Sequence, residues 1–134
     1  MSILLDLFDR DLKLETPPGL TPEQQTAWER AYGEENRWFR SARASLGTDG
    51  ELRWRYQRYI KDYLRTVRAM DRAVGRLMDA LQRAGIADRT LVVYTSDQGF
   101  FLGDHGWFDK RWMYEESLRT RSSCAGRVWS SPDR

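Results

Sequence analysis

Thr95-Ser96-Asp97-Gln98-Gly99-Phe100-Phe101-Leu102-Gly103-Asp104-His105-Gly106-Trp107-Phe108-Asp109-Lys110 brings hard oxygen donors, glycines, the chain's one histidine and a lysine into a single short span. Just before it, Leu91-Val92-Val93-Tyr94 is an apolar, β-branched run of strand type. A long amphipathic pattern precedes that run, so the predicted order is helix, strand, polar loop. In open α/β sheets ligands gather beyond the carboxyl ends of strands, and Asp97 and Gln98 stand at such an exit.

Asp97 offers a carboxylate and Gln98 an amide oxygen, donors that Ca²⁺ and Mg²⁺ prefer to nitrogen or sulfur. Two ligands are short of the six to eight or so oxygens that calcium takes, and Asp-Gln-Gly after a strand equally suits a plain turn. Gly99 and Gly103 admit backbone angles that other residues resist, so the loop can bend tightly around an ion. Lys110 could bring a point positive charge to an oxyanion ester, and His105 a hydrogen bond or proton. The plain alternatives are a structural histidine and a surface lysine beside Arg111. Asp104 and Asp109 are loop carboxylates placed to orient His105 or Lys110.

Working outward, Trp54, Tyr56, Tyr59, Ile60, Tyr63, Leu64, Val67, Met70, Val74, Leu77, Met78 and Leu81 recur at spacings of three and four between Glu51 and Ala84. This predicts one long helix with a wide apolar stripe, expected to be core. Gly85 suits the left-handed C′ position, and Ile86 would fold back on Leu81 as in a Schellman cap. The first fifty residues read as irregular connection with one short helix. That helix starts at Thr21-Pro22-Glu23-Gln24, with Thr21 as N-cap, Pro22 at the first helical position and Gln24 closing a capping box. Gly33 is placed to end it, and Ser45-Leu46-Gly47-Thr48-Asp49-Gly50 marks a further break. A stripe this long needs cover, and one strand cannot satisfy its own backbone donors and acceptors. The chain therefore reads as a piece of a larger α/β domain.

With 134 residues, 40% of them hydrophobic, the length is that of one domain. No run of about 18 apolar residues occurs, so no membrane span is expected, and Ile3-Leu4-Leu5-Asp6-Leu7-Phe8 is too short and too acidic for a signal peptide. The 22 basic residues face 20 acidic ones, a formal +2 that gives no reason to expect nucleic acid. Arg53, Arg55, Arg58, Arg65, Arg68, Arg72 and Arg76 could form a phosphate-binding stripe, but they alternate with Glu51, Asp62, Asp71 and Asp79 and read as a solvated helix face. A single cysteine, Cys124, excludes an intrachain disulfide.

The stretch from Thr95 to Lys110, followed by Arg111-Trp112-Met113-Tyr114-Glu115-Glu116-Ser117-Leu118-Arg119-Thr120, resembles the second half of the type I sulfatase catalytic domain. Tyr56-Gln57-Arg58-Tyr59-Ile60-Lys61-Asp62-Tyr63-Leu64 and Val74-Gly75-Arg76-Leu77 resemble the helix leading into this motif in sulfatases of sugar sulfates. The resemblance covers about residues 51 to 120 and implies part of an alkaline-phosphatase-like α/β fold. A helix, a buried strand, an active-site loop and an incomplete sheet are then expected. It further implies Asp97 as a metal-binding aspartate, Gln98 as its partner ligand, usually for Ca²⁺ with Mg²⁺ possible, Lys110 against the sulfate, and His105 on the family's Leu-Gly-acidic-His-Gly segment. The family's nucleophile is a formylglycine made from the Cys or Ser of a Cys/Ser-x-Pro-x-Arg motif near the domain's start, and the reading is that this chain holds none of it. Cys124 has no proline at the needed place and is not that nucleophile.

These implications divide the chain into a connecting region over residues 1 to 50, a sulfatase fragment over 51 to 120 and an aberrant, disordered tail over 121 to 134. The function implied is metal-assisted hydrolysis of a sulfate ester, plausibly on a carbohydrate, by an intact relative often periplasmic, secreted or lysosomal, the fragment alone being inactive. A phosphoesterase or phosphonate hydrolase of the same superfamily is the second reading, and a non-catalytic helical module exposing the aromatic stripe is the third. After Thr120 the chain lacks the proline and apolar strand of the resemblance, which suggests a shift of reading frame there. Translation of the coding DNA in the other two frames should restore a proline followed by an apolar run, and its absence from both would sink that hypothesis.

Overall fold

The computed structural model describes residues 2–3 and 5–126. These form two compact units, one of residues up to 62 with 102–109, the other of residues 63–101 with the chain from 110 onward.

In the first unit, helix α1 (Pro22–Trp28) starts as its sequence dictates. The Thr21 hydroxyl accepts the Gln24 amide at 3.3 Å, and the Gln24 side chain accepts the Thr21 amide at 3.0 Å, a complete capping box with Pro22 just inside. Gly33 does not end the helical run. A π-helical turn (Glu29–Gly33) leads directly into α2 (Glu34–Arg83), so the expectation of an irregular first fifty residues is corrected from Pro22 onward. Only Gly47, at φ 64° and ψ 177°, leaves helical geometry within α2. That one residue reverses the chain. Asn36 and Arg58 would lie about 33 Å apart on a straight helix, yet the Arg58 guanidinium donates to Asn36 Oδ1 at 2.6 Å, and the rings of Phe39 and Trp54 stack at 3.6 Å and 8°. The glycine read as a break is therefore the corner between two antiparallel arms, residues 34–46 and 48–83.

Over these arms lies a strap, residues 2–3 and 5–14, without regular helix or strand of its own. Ile3, Leu7, Leu12 and Leu14 are buried with Phe39, and Leu46, Trp54, Tyr56, Tyr59 and Phe108 pack around them. The N-terminal patch noted for its acidity thus supplies Ile3 and Leu7, two of the five buried residues of this core. A strap outside any ladder leaves carbonyls that still need donors, and arginines and an asparagine of the arms supply them. Arg58 Nε donates to the Leu12 carbonyl at 3.0 Å, Asn36 Nδ2 to that of Lys13 at 2.9 Å, Arg55 to that of Leu7 and Arg40 to that of Leu14. Arg58 is fully buried, paired with Glu35 at 2.7 Å and lying 4.5 Å from the centroid of the Tyr32 ring. Arg55 and Arg58 are therefore neither a phosphate-binding stripe nor a solvated face.

The second unit begins with the rest of α2. Its end is a Schellman motif: Gly85 has φ 67°, the Ile86 amide donates to the Leu81 carbonyl at 3.2 Å and the Gly85 amide to that of Gln82 at 3.0 Å. A 3-10 turn (Ala87–Arg89) then enters β1 (Val92–Thr95), which pairs antiparallel with β4 (Ser122–Ala125) in the register Val92 to Ala125. Between them in sequence come β2 (Phe101–Leu102) and β3 (Phe108–Asp109), which pair with each other and belong to the first unit from Leu102 onward, and then the one-turn helix α3 (Glu115–Leu118) of the second. Two two-stranded sheets among the described residues match an incomplete alkaline-phosphatase-like fold.

Three expectations change here. The strand forms, but only Val92 is half-buried and Val93 to Thr95 are exposed, because among the described residues β4 covers one edge and nothing covers the faces. The stripe on α2 is likewise uncovered beyond Tyr63, with Leu64 at 56% and Leu77 at 52% exposure. Residues 122–125, expected to be aberrant and disordered, form a strand; backbone pairing asks no apolar alternation, and an open edge invites it. The remainder of the expected tail, 127–134, lies outside the described residues. No described helix is long and apolar enough to cross a membrane.

Arg58→Ala should cost about 3 kcal/mol in urea denaturation, since it strips donors from the Leu12 carbonyl and leaves Glu35 without its buried partner. Burial pushes the Glu51 carboxyl up, but the hydrogen bond from Arg55 and the charges of Arg43 and Arg55 outweigh it and hold the carboxyl below its ordinary value. The stability this group contributes is present above the ordinary glutamate value and lost as pH falls through the lowered one. Glu51→Gln should therefore flatten that acid-side loss of melting temperature.

Candidate active-site loop

The loop takes its shape from β1 and α3. Past Thr95 the Ser96 hydroxyl donates to the Gln98 carbonyl at 2.6 Å, bending the chain into a tight turn. The Gly99 amide then donates to the Ser117 carbonyl at 2.7 Å, tying the turn to α3. Gly99 does not take the left-handed region. What it provides is room: a Cβ there would stand 2.0 Å from the Glu116 carbonyl oxygen and 2.7 Å from that of Arg119. Between strand and clamp, Asp97 is exposed and Gln98 half-buried, so two adjacent oxygen donors project from a turn fixed at both ends.

The second half of the motif is a tight hairpin between β2 and β3. Gly103 (φ 114°) and Gly106 (φ 72°) carry left-handed angles, and so do two residues with side chains, His105 (φ 58°) and Asp109 (φ 75°). Such angles cost free energy in a residue other than glycine, and they tend to gather where function fixes a side chain's direction. A Cβ on Gly103 would meet the Tyr56 ring at 2.5 Å, so the hairpin rests on α2 at this point. The Ile3 amide donates to the Gly106 carbonyl at 3.0 Å, and Ser2 bridges to Trp107. The exposed His105 ring stands beside that of Trp107, centroids 5.4 Å apart.

Lys110 follows Asp109 and is exposed. Asp97, Gln98 and Lys110 fall in one compact unit and His105 in the other. The carboxylate and amide oxygen of Asp97 and Gln98 fit a hard cation, although no three His, Cys, Asp or Glu side chains assemble into a metal cluster among the described residues. For formylglycine the fit fails at the described cysteine, since Cys124 lies exposed on β4, opposite Val93. The reading that the chain holds no Cys/Ser-x-Pro-x-Arg needs one correction. Ser130-Ser131-Pro132-Asp133-Arg134 has that spelling, outside the described residues and on the far side of the loop from the domain start, where the resemblance puts the motif. A cleft of about 490 Å³ is lined by residues of the strap and arms, Phe8, Arg43 and Arg55 among them, and by none of the predicted site residues.

The sequence model of the family described as Sulfatase matches residues 16–120. The chain belongs to the sulfatase family. Among curated sulfatases it is 50% identical over 97 residues to an N-acetylglucosamine-6-O-sulfatase of Bacteroides thetaiotaomicron and 33% identical over 97 residues to iduronate 2-sulfatase of Homo sapiens. Each alignment takes in 72% of this chain and 17% of the relative. A solved structure described as a complex with its substrate D-glucosamine-2-N,6-O-disulfate superposes with a TM-score of 0.83 at 41% identity, covering 92% of this chain and 28% of that one. The chain thus spans under a third of the length of these sulfatases. The family match begins at residue 16, well ahead of the residue 51 suggested by the motif resemblance, and so takes in α1 and both arms of α2.

Two supports of the loop went unread in the sequence, the α3 carbonyls around Gly99 and the Tyr56 ring under Gly103. Both belong to segments singled out for their resemblance, which was the available signal. Gly99→Ala should force α3 off the turn at a cost of about 1–3 kcal/mol, read as faster amide hydrogen exchange at residues 97–99 and 117–119 with the Schellman end of α2 unchanged.

Proposed function

We propose that this chain is the part of a sulfatase catalytic domain that supplies half of the metal site and the sulfate-facing basic residues, in an enzyme hydrolysing sulfate esters of an amino sugar. The observation that carries the reading is the 50% identity over 97 residues to an N-acetylglucosamine-6-O-sulfatase. A sulfated glucosamine in the complex of the structural neighbour supports the substrate class.

In this reading Asp97 and Gln98 ligate Ca²⁺, Mg²⁺ being the other hard cation that the donors admit. When bound, the cation supplies positive charge that offsets negative charge on the sulfate oxygens. Lys110 adds a second positive charge to those oxygens, the group whose charge must be balanced as the S–O bond breaks. His105 keeps the hydrogen-bonding role that its place on the Leu-Gly-acidic-His-Gly segment implies. The left-handed geometry at His105 and Asp109 supports this, because strained angles fix where the flanking side chains point. No described residue is assigned as nucleophile, and the chain alone is expected to turn over no sulfate ester. The family match stopping at Thr120 supports a change of reading frame after that residue.

The test is a chimera in which residues 16–120 replace the matching segment of the Bacteroides thetaiotaomicron enzyme. It should release sulfate from 6-O-sulfated N-acetylglucosamine, depend on added calcium, and lose about 100-fold or more in kcat with Asp97→Asn or Lys110→Ala. A folded chimera that cleaves the phosphate ester and leaves the sulfate ester intact would replace this reading with the phosphoesterase one.

A further inference from the structure

Beyond Tyr63, α2 carries arginine as its only basic residue type, and these arginines fall on one side. At about 100° per residue, Arg65, Arg68, Arg72, Arg76 and Arg83 lie within an arc of about 80°. All five are exposed. The apolar residues Val67, Met70 and Leu77 lie on the other side of the helix. Asp79 is the acidic residue inside the arc, and Asp71 stands about 100° from its centre. The side therefore presents five positive charges against one negative over roughly 27 Å.

We infer that this arginine ridge is a docking surface for a sulfated polysaccharide, holding the chain whose sulfate esters the enzyme acts on. A linear polyanion laid along the helix meets a guanidinium about every turn from Arg65 to Arg76, at steps of roughly 5–6 Å. The planar fork of each guanidinium suits two oxygens of one tetrahedral oxyanion, where a lysine offers a point charge. A helix face needs no such one-sided charge for solubility alone, since mixed signs serve that purpose. The inference rests on the sulfated-sugar reading for its choice of polyanion. Nucleic acid, the other linear polyanion, finds no aromatic side chain in the arc on which bases could stack.

The experiment measures binding of a fluorescent, fully sulfated glucosamine–uronate decasaccharide to the full chain at several salt concentrations. Arg68→Gln/Arg72→Gln/Arg76→Gln should weaken binding at least 10-fold and lower the log–log salt slope by roughly 2, as expected for lost counterion release. The desulfated decasaccharide should not bind. Circular dichroism checks that the helix persists; if the triple variant loses it, the single variants Arg72→Gln and Arg76→Gln are read instead, each expected to weaken binding 2-fold or more. Unchanged affinity in helical variants overturns the inference, and so does equal or tighter binding of a single-stranded oligonucleotide of the same charge. Because binding needs no turnover, a chimera that fails to release sulfate would sink the enzymatic reading while leaving this measurement independent of it.

Discussion

A guanidinium with no exposed surface must find acceptors within the protein, and Arg58 finds three on two segments at once: Leu12 in the strap, and Glu35 and Asn36 on the first arm of α2. Desolvating a charge is costly unless it is paired and hydrogen-bonded throughout. The architecture of the first unit follows from meeting that demand. The arms must lie antiparallel for Asn36 to reach Arg58, and the strap must cross them for Leu12 to present its carbonyl. Arg55, Arg40 and Asn36 repeat the device along the strap, so a segment with almost no ladder of its own still has partners for its carbonyls.

Around the functional loop the same economy is achieved with glycine. Gly99 and Gly103 act through what they lack, one admitting the α3 carbonyls and the other the Tyr56 ring. The turn bearing Asp97 and Gln98 is thereby fixed by backbone contact, with Asp97 exposed and Gln98 half-buried. In the hairpin the unusual angles fall on two residues with ionisable side chains, His105 and Asp109, and the flanking glycines take up the rest of the tight turn.

The features legible from sequence were those set by neighbours a few residues apart. The capping box at Thr21 and Gln24 and the Schellman end at Gly85 and Ile86 depend on local spacing, and both form. Family membership was legible because the motif is dense enough to be specific. What escaped were consequences of distant partners. Gly47 signals a break, but its reversal of the chain depends on Phe39 meeting Trp54. Ile3 and Leu7 gave no periodic signal, and their burial depends on arms that sequence places later. Ser122 to Ala125 have no strand pattern and pair because β1 offers an edge. The exposure of Leu64 and Leu77 was unreadable for the opposite reason, since periodicity reports which side of a helix is apolar and not what covers it.

The corner at Gly47 also bears on the order of folding events. Its arms meet across 15 residues at Phe39 and Trp54 and 22 at Asn36 and Arg58, whereas Ile3 must find Gly106 across most of the chain. Loop closure costs more entropy as the intervening chain lengthens, and short-range contacts form faster. The helical pair can therefore assemble before the strap arrives, offering Arg58 as a half-satisfied cation that only the strap completes. In kinetic terms the strap behaves as a latch, and substitutions in Ile3 to Leu14 should act more on the rate of opening than on the rate of collapse.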